Sequence, residues 1–591
     1  MAARLAHRGP DGSGRWAEGP AALAHRMRKV APTSSVQPLI TPDAVVMLDG
    51  WIYDHLDVLQ RAGGAPVGPD VPDTVALLSA WRAWGVELAA ELDGEFSAAI
   101  WDRRQERLVL ARGRMGTRPL FFTRKGQRTA FASELPALLT LPWVSRDIAP
   151  EQLAEYLEFQ VIHSPRTLLR DVRQVEPAHT LVVDRGGERY RQYWQIRWAD
   201  PDARQLADVD LLDGLQEAVD RAVARRVPPG AATGVYLSGG LGSTAVAVAA
   251  RARFLTVPTF TVSFADDPNP ESPFAGRVAR LLGLENRELV VGTADLAAAF
   301  EPTVAALGGP IGHPAAMLQL LLARDARSRV RVVLSGDGGD ELFGGRFLDR
   351  LVQGLGVARV IARMPGPLRR MAEGALGRTS WGRFAGPVAS WLPALGVGGM
   401  GLFPTQERAL LLRDPALVRP TVTEDVLGPL FAGVDTDPVN SAIHGVMRSA
   451  LVESTLARAD RTAAASGLEV RFPLLDRTVI ERVAALPGAL KIRRVGGTLH
   501  TRWVLRSLVS GAIPQALANR PQRGMPVPLD AWLAGPGRLF LEDRFARLKR
   551  DPFGLWRTGR LDELRAAAAR PGPASRQLWS LFLLDAWMAS L

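Results

Sequence analysis

Between residues 209 and 345 short apolar runs alternate with amphipathic stretches, and two of the apolar runs end in glycine-rich turns. The spacing predicts a helix over 209–226, a strand at "GVYLS" and a helix from about Ser243. A strand over 258–264, a helix at "SPFAGRVARLLG", a strand at "NRELVV", a helix over 314–328 and a strand from residue 330 follow. Such alternation fits a parallel sheet with helices on both faces. In sheets of that kind ligands bind at the carboxyl ends of the strands, which is where "LSGGLGST" (237–244) and "LSGDGGDELFGG" (334–345) fall.

The chain before this region has another rhythm. "DAVVMLDGWIYD", "EFSAAIWDRRQERLVLAR" and "RPLFFTRKGQRTAFASE" are short apolar runs between polar turns, as in sheet-on-sheet packing. One helix is expected over 73–85, and "TLVVDRGGERYRQYW" reads as a hairpin turning at Gly186 and Gly187. The polar stretch 196–208 is a candidate linker, and the chain from 346 onward looks mostly helical. At 591 residues the chain is too long for one core.

Composition excludes several functions. With no cysteine there is no disulfide framework, thiolate metal site or cysteine nucleophile in this sequence. Eight scattered histidines include no close pair at metal-ligand spacing. The net charge of +11 is carried almost wholly by arginine, without the aromatic-interleaved stripe of a nucleic-acid binder. The charge-free stretches 302–323 and 384–406 each contain three prolines, so neither reads as a membrane span. With no signal-peptide pattern at the start, a cytoplasmic location is expected.

The first glycine turn is suited to an anion. Gly239 and Gly240 allow close backbone approach, Ser238, Ser243 and Thr244 offer hydroxyls, and the helix that follows aims its amides at negative charge. No lysine follows the glycines, so it is not a Walker loop. Alone, such a turn is more often structural. The second turn places Asp337, Asp340 and Glu341 on another strand end, and crowded carboxylates usually await Mg²⁺ or a basic group.

Together these stretches resemble the synthetase domain of glutamine-dependent asparagine synthetases and their relatives, with a pyrophosphate loop S-G-G-x-D-S and a later S-G-E/D-G-x-D-E-L-F-G-G. The likeness continues in "ADRTAAASGLEVRFPLLD" (459–476) and "NRPQRGMPVPLDAWL" (519–533). It extends N-terminally through "HRGPDGSG", "DGWIYD", "GEFSAAIWD", "RMGTRPLFF" and "FASE". The resemblance implies a multidomain fold with a glutaminase-like (Ntn-type) β-sandwich over 1–195. An ATPase-type parallel α/β synthetase domain with a helical C-terminal part follows over 209–591. It implies ATP and Mg²⁺ as cofactors: a carboxylate attacks the α-phosphate, pyrophosphate leaves, and an amine displaces AMP. Leu237, Val262, Ser335 and Gly336 then look like adenine and ribose contacts, and Ser238, Gly239, Gly240, Ser243 and Thr244 would hold pyrophosphate. Asp337, Asp340, Glu341 and Arg523 form the candidate catalytic set, with Asp340 the metal ligand. Glu469, Arg471 and Asp476 either shape the site or form a buried ion network.

The sequence leaves the family pattern at several places. The glutamine pocket's N-G-E-I-Y reads "DGWIY": Asp49 and Gly50 remain as a remnant with Asp73, but Trp51 replaces the glutamate and Gly113 another acid. Glutamine hydrolysis is therefore not expected. Gly242 stands where the pyrophosphate loop carries an aspartate, His313 where an acid is frequent, and Gln522 where the family's lysine falls, next to Arg523. Guanidinium is a poor substitute for a proton-donating ammonium. The leading expectation is an AMP-forming amide ligase that does not use glutamine, like the β-lactam and macrolactam synthetases. It would join a small-molecule or peptide carboxylate to an amine that the substrate itself can carry. A homodimer or a biosynthetic-cluster partner is compatible with this, and neither nucleic acid nor membrane is implied. The alternatives are a non-catalytic nucleotide- or partner-binding subunit, and conventional conversion of aspartate to asparagine.

Overall fold

The computed structural model describes residues 1–31, 35–63, 68, 70–200, 208–254, 256–265, 271–345, 365, 368, 401–419, 422–432, 434, 436–495, 498–520, 527–570 and 572–591. The N-terminal part contains β1 (Gly12–Glu18), β2 (Ala21–Met27), β3 (Leu39–Ile40), β4 (Ala44–Ile52), β5 (Gly94–Asp102) and β6 (Arg107–Arg112). It continues with β7 (Phe121–Lys125), β8 (Arg128–Ala132), β9 (Val172–Gln174), β10 (His179–Asp184) and β11 (Gly187–Gln192). An antiparallel six-stranded sheet has the order β11-β10-β6-β5-β4-β3, beside a three-stranded sheet β8-β7-β9 and the hairpin β1-β2.

Alternation along the strands explains the layering. Val46, Leu48, Phe96, Ile100 and Val109 face the expected helix, Asp73–Trp84, and pack on Leu77 and Trp81. Val45, Met47, Ala99, Leu110 and Leu181 point the other way, onto Leu120 and Phe122 of the second layer.

The C-terminal part is built on a parallel sheet of β12 (Thr233–Tyr236), β13 (Thr259–Phe264), β14 (Asn286–Val291), β15 (Val332–Leu334) and β16 (Glu469–Arg471), in the order β14-β13-β12-β15-β16. Helices Asp208–Arg225, Leu241–Arg253, Ser272–Leu282 and Ala315–Arg327 stand close to their expected positions. Four features depart from the sequence reading. The strand from residue 330 is only three residues long before it gives way to the acidic loop. A helix at Thr293–Leu307 carries Pro302 inside it. The region after 346 contributes the edge strand β16 and a hairpin of β17 (Ile492–Val495) and β18 (Thr498–Thr501). The candidate linker is packed at its start: Ile196 and Ala199 are buried, and the indole N–H of Trp198 donates to His444 Nδ1 at 2.9 Å. Residues 201–207 of that linker lie outside the described residues. Among the described residues no helix is long and apolar enough to cross a membrane.

Candidate functional site

The first glycine turn begins where β12 ends. The Thr261 hydroxyl donates to the Leu237 carbonyl at 2.7 Å, and Gly239 takes φ +72°. A Cβ at Gly239 would lie 2.7 Å from the Ala275 amide nitrogen, so only glycine fits both the dihedral and the space. Gly240 caps the helix Leu241–Arg253 in extended conformation. The Ser238 and Ser243 hydroxyls lie 3.1 Å apart, and Ser243 Oγ donates to the Gly240 carbonyl at 3.1 Å. Arg520 holds the turn from outside: one guanidinium nitrogen donates to the Gly239 carbonyl at 3.0 Å, another to Glu271 at 3.2 Å, and its centre lies 4.1 Å from the Phe274 ring centroid.

The second turn leaves β15 beside the first. The Ser335 amide donates to the Arg471 carbonyl at 2.9 Å, and its hydroxyl to Asp337 at 2.8 Å. Gly338, at φ +90°, starts the short helical turn Gly339–Leu342 that carries Asp340 and Glu341. The two turns touch main chain to main chain: a Cβ on Gly336 would lie 2.3 Å from the Ser243 nitrogen.

A cavity of about 280 Å³ opens between them at the carboxyl ends of β12, β13 and β15. Leu237, Ser238, Gly240, Ser243, Val262, Ser335, Gly336, Asp337, Asp340 and Glu341 all line it, as does Gly242. Gly239 supplies the bend without lining the cavity. Thr244 does not reach it: the residue is fully buried in the helix, and its hydroxyl oxygen has no hydrogen-bond partner. Gln522 and Arg523 lie outside the described residues.

The charges of this cavity are not paired off symmetrically. Burial pushes the Asp337 carboxyl up, against the hydrogen bond from Ser335 and the field of Arg458. Burial, with Asp340 and Asp337 adding to it, raises Glu341 to about 8. Asp340 instead accepts from Arg502 at 2.8 Å. Arg458 is itself lowered to about 10 by burial, with Asp337 and Glu341 opposing, and donates to His313 Nδ1 at 3.1 Å. Burial and Arg458 hold the His313 ring well below its ordinary value, so it is neutral. Among the described residues no three such side chains converge as a metal cluster. The donor set still fits Mg²⁺ in its usual mode, one or two carboxylates completed by phosphate oxygens.

The residues expected as a glutamine-pocket remnant stand elsewhere. Asp49, Gly50 and Asp73 line a cavity of about 1100 Å³ in the N-terminal part that reaches Glu469. Asp49 accepts from Ser133 at 2.6 Å; burial opposes its ionisation, but Arg8 and Arg118 outweigh it and hold the carboxyl at about 2. Asp73 accepts from the Ile52 amide at 2.9 Å.

Residue patterning did not reveal what joins the two parts. Arg8 and Arg118 both reach Asp460, at 2.9 and 2.8 Å. Arg226 joins Glu95 at 2.8 Å and Asp476 at 2.7 Å. Glu469, Arg471 and Asp476 thus belong to a buried ion network.

A family model described as asparagine synthase matches residues 214–589, and one described as a glutamine amidotransferase domain matches 1–194. A protein of Mycobacterium tuberculosis named putative asparagine synthetase [glutamine-hydrolyzing] is 30% identical over 99% of this chain and 92% of its own length. Asparagine synthetase [glutamine-hydrolyzing] 1 of Bacillus subtilis is 27% identical over the same shares. A Penicillium rubens protein named amidase chyE is 28% identical over 58% of this chain and 53% of its own length.

Proposed function

The chain belongs to the asparagine synthase family, and from that premise we propose that it is an ATP-dependent, AMP-forming amide ligase that does not draw ammonia from glutamine. The observation that carries the reading is the meeting of both glycine turns at one cavity on adjacent parallel strands. The amides at the start of Leu241–Arg253 and the hydroxyls of Ser238 and Ser243 face where departing pyrophosphate would sit. Leu237, Val262, Ser335 and Gly336 form the wall for adenine and ribose. Asp340, with Asp337 beside it, would hold Mg²⁺, which neutralises phosphate charge when bound. The carboxylate substrate is a small molecule or peptide, and the attacking amine is its own or a second molecule's.

Glutamine use is disfavoured by Trp51, whose indole lies against Arg471 where a carboxylate would have to receive an amino group. A second reading, a non-catalytic nucleotide- or partner-binding subunit, is favoured by the contact between Gly242 and Gly336 and by the pairing of Asp340 with Arg502. The names of the bacterial relatives favour a third, conversion of aspartate to asparagine. Pyrophosphate exchange into ATP with a panel of carboxylates including aspartate, with and without Mg²⁺, separates them. Exchange with a non-aspartate acid supports the ligase, and exchange with aspartate supports the third reading. Mg²⁺-independent ATP binding without exchange supports the second. Glutamate release from glutamine would overturn the glutamine-independent part.

A further inference from the structure

Trp51 has no place in the chemistry proposed above, yet it stands at a sensitive point. It lies at the end of β4, opposite Glu95 of β5. The centre of the Arg471 guanidinium lies 4.4 Å from its ring centroid and 5.7 Å from that of Tyr53. Arg471 is 1% exposed, so its charge is held without water. Its Nε donates to Glu469 at 2.7 Å and one terminal nitrogen to the Arg226 carbonyl at 3.0 Å, while the other has no hydrogen-bond partner. The aromatic face is what offsets that deficit, because a ring quadrupole attracts a desolvated cation most strongly. Through its own carbonyl Arg471 then receives the Ser335 amide, at the mouth of the acidic turn.

We infer that Trp51 is a positioning residue: by stacking on Arg471 it fixes the edge strand β16, and through the Ser335 amide it sets the acidic turn of the nucleotide cavity. The side chain that stands where the family pattern carries a glutamate, on the wall of the N-terminal cavity, thereby serves the other site. A purely architectural indole would affect the interface as a whole. A positioning indole affects the segment that hangs from Arg471 in particular. The inference rests on the proposed function only in taking nucleotide as the ligand of the cavity.

The test uses the full chain with Trp51→Ala, Trp51→Leu and Trp51→Phe. Hydrogen exchange is followed in the peptide spanning 332–341, with the peptide of β14 (286–291) as reference, and MgATP affinity is measured by calorimetry. Exchange in 332–341 is expected to quicken about threefold to tenfold in the Ala and Leu variants, with β14 unchanged. Phe, which keeps a ring face, is expected to restore most of the protection, and MgATP affinity follows the same order. Unchanged exchange in 332–341 overturns the inference. So does equal quickening in both peptides, or failure of both Ala and Leu variants to fold, since the role is then architectural. A wild-type chain that binds no MgATP defeats the proposed function and leaves the exchange pattern to decide this one.

Discussion

A Cβ atom on Gly242 would stand 2.6 Å from the carbonyl oxygen of Gly336. That oxygen accepts the Gly339 amide at 3.2 Å and belongs to main chain, so it has no rotamer in which to escape. The space for a carboxylate at this position has been taken by the neighbouring turn. Gly242→Asp is therefore expected to lower stability by about 1–3 kcal/mol, as overpacking does, and to leave MgATP affinity unimproved. Thermal melts and calorimetry on the variant check this; a gain in both would mean that the turns part freely.

Arg520 is expected to matter to binding although it does not line the cavity. Its fork holds the Gly239 carbonyl and Glu271 while its plane lies on Phe274. Arg520→Ala should weaken MgATP binding about tenfold, which is roughly 1.4 kcal/mol. Arg520→Lys should recover only part of it, because an ammonium supplies neither the fork nor the stacked plane. Calorimetric titration of the three proteins decides.

The seam between the two parts depends on Asp460. Its carboxylate is buried between Arg8 and Arg118, and both guanidinium groups keep it ionised against burial. Asp460→Asn leaves Arg8 with Glu134 at 3.2 Å and Arg118 with Glu469 at 3.5 Å as charged partners, so the expected cost is that of lost charged hydrogen bonds, about 1.5–3 kcal/mol. Chemical denaturation should show the loss, and replacing Arg118 with Met in the same variant should return part of it.

Two buried bases predict a pH dependence of stability. Burial lowers His444 to about 4, and its Nδ1 accepts the Trp198 indole proton. Between about 4 and its ordinary value the unfolded chain binds this proton and the folded chain does not, so stability rises with pH across that window. Lys491 is buried among Asn440 and Trp198, and burial lowers it to about 7 against the pull of Asp437. The same sign holds from about 7 up to the ordinary lysine value. Lys491→Met should flatten the upper rise and His444→Gln the lower one, measured by urea denaturation from pH 4.5 to 9.5.

Much of this was legible in the residues. Both glycine turns, the strands they follow and the helix over Asp73–Trp84 are set by local periodicity and turn chemistry, which need no distant partner. β16 was not legible: "EVR" is three residues with charged ends, whose burial depends on distant partners such as Arg118 beside Glu469 and the Arg226 carbonyl that receives Arg471. The helix Thr293–Leu307 hides behind Pro302, which sits well inside it. Gly242 could be seen as a missing acid from sequence. That a carbonyl had filled its place required the fold.

The edge strand β16 carries one last consequence. An outermost strand normally offers unpaired main chain as a template for self-association, yet Glu469, Val470 and Arg471 are all buried. The cover comes from the N-terminal half: Arg28 donates to the Leu468 carbonyl at 2.6 Å, and Glu95 receives the Phe472 amide at 3.1 Å. A shortened chain that began near residue 209 would expose this edge and be prone to aggregate. The N-terminal part thus shields an edge of the C-terminal part, a duty that loss of glutaminase chemistry would not end.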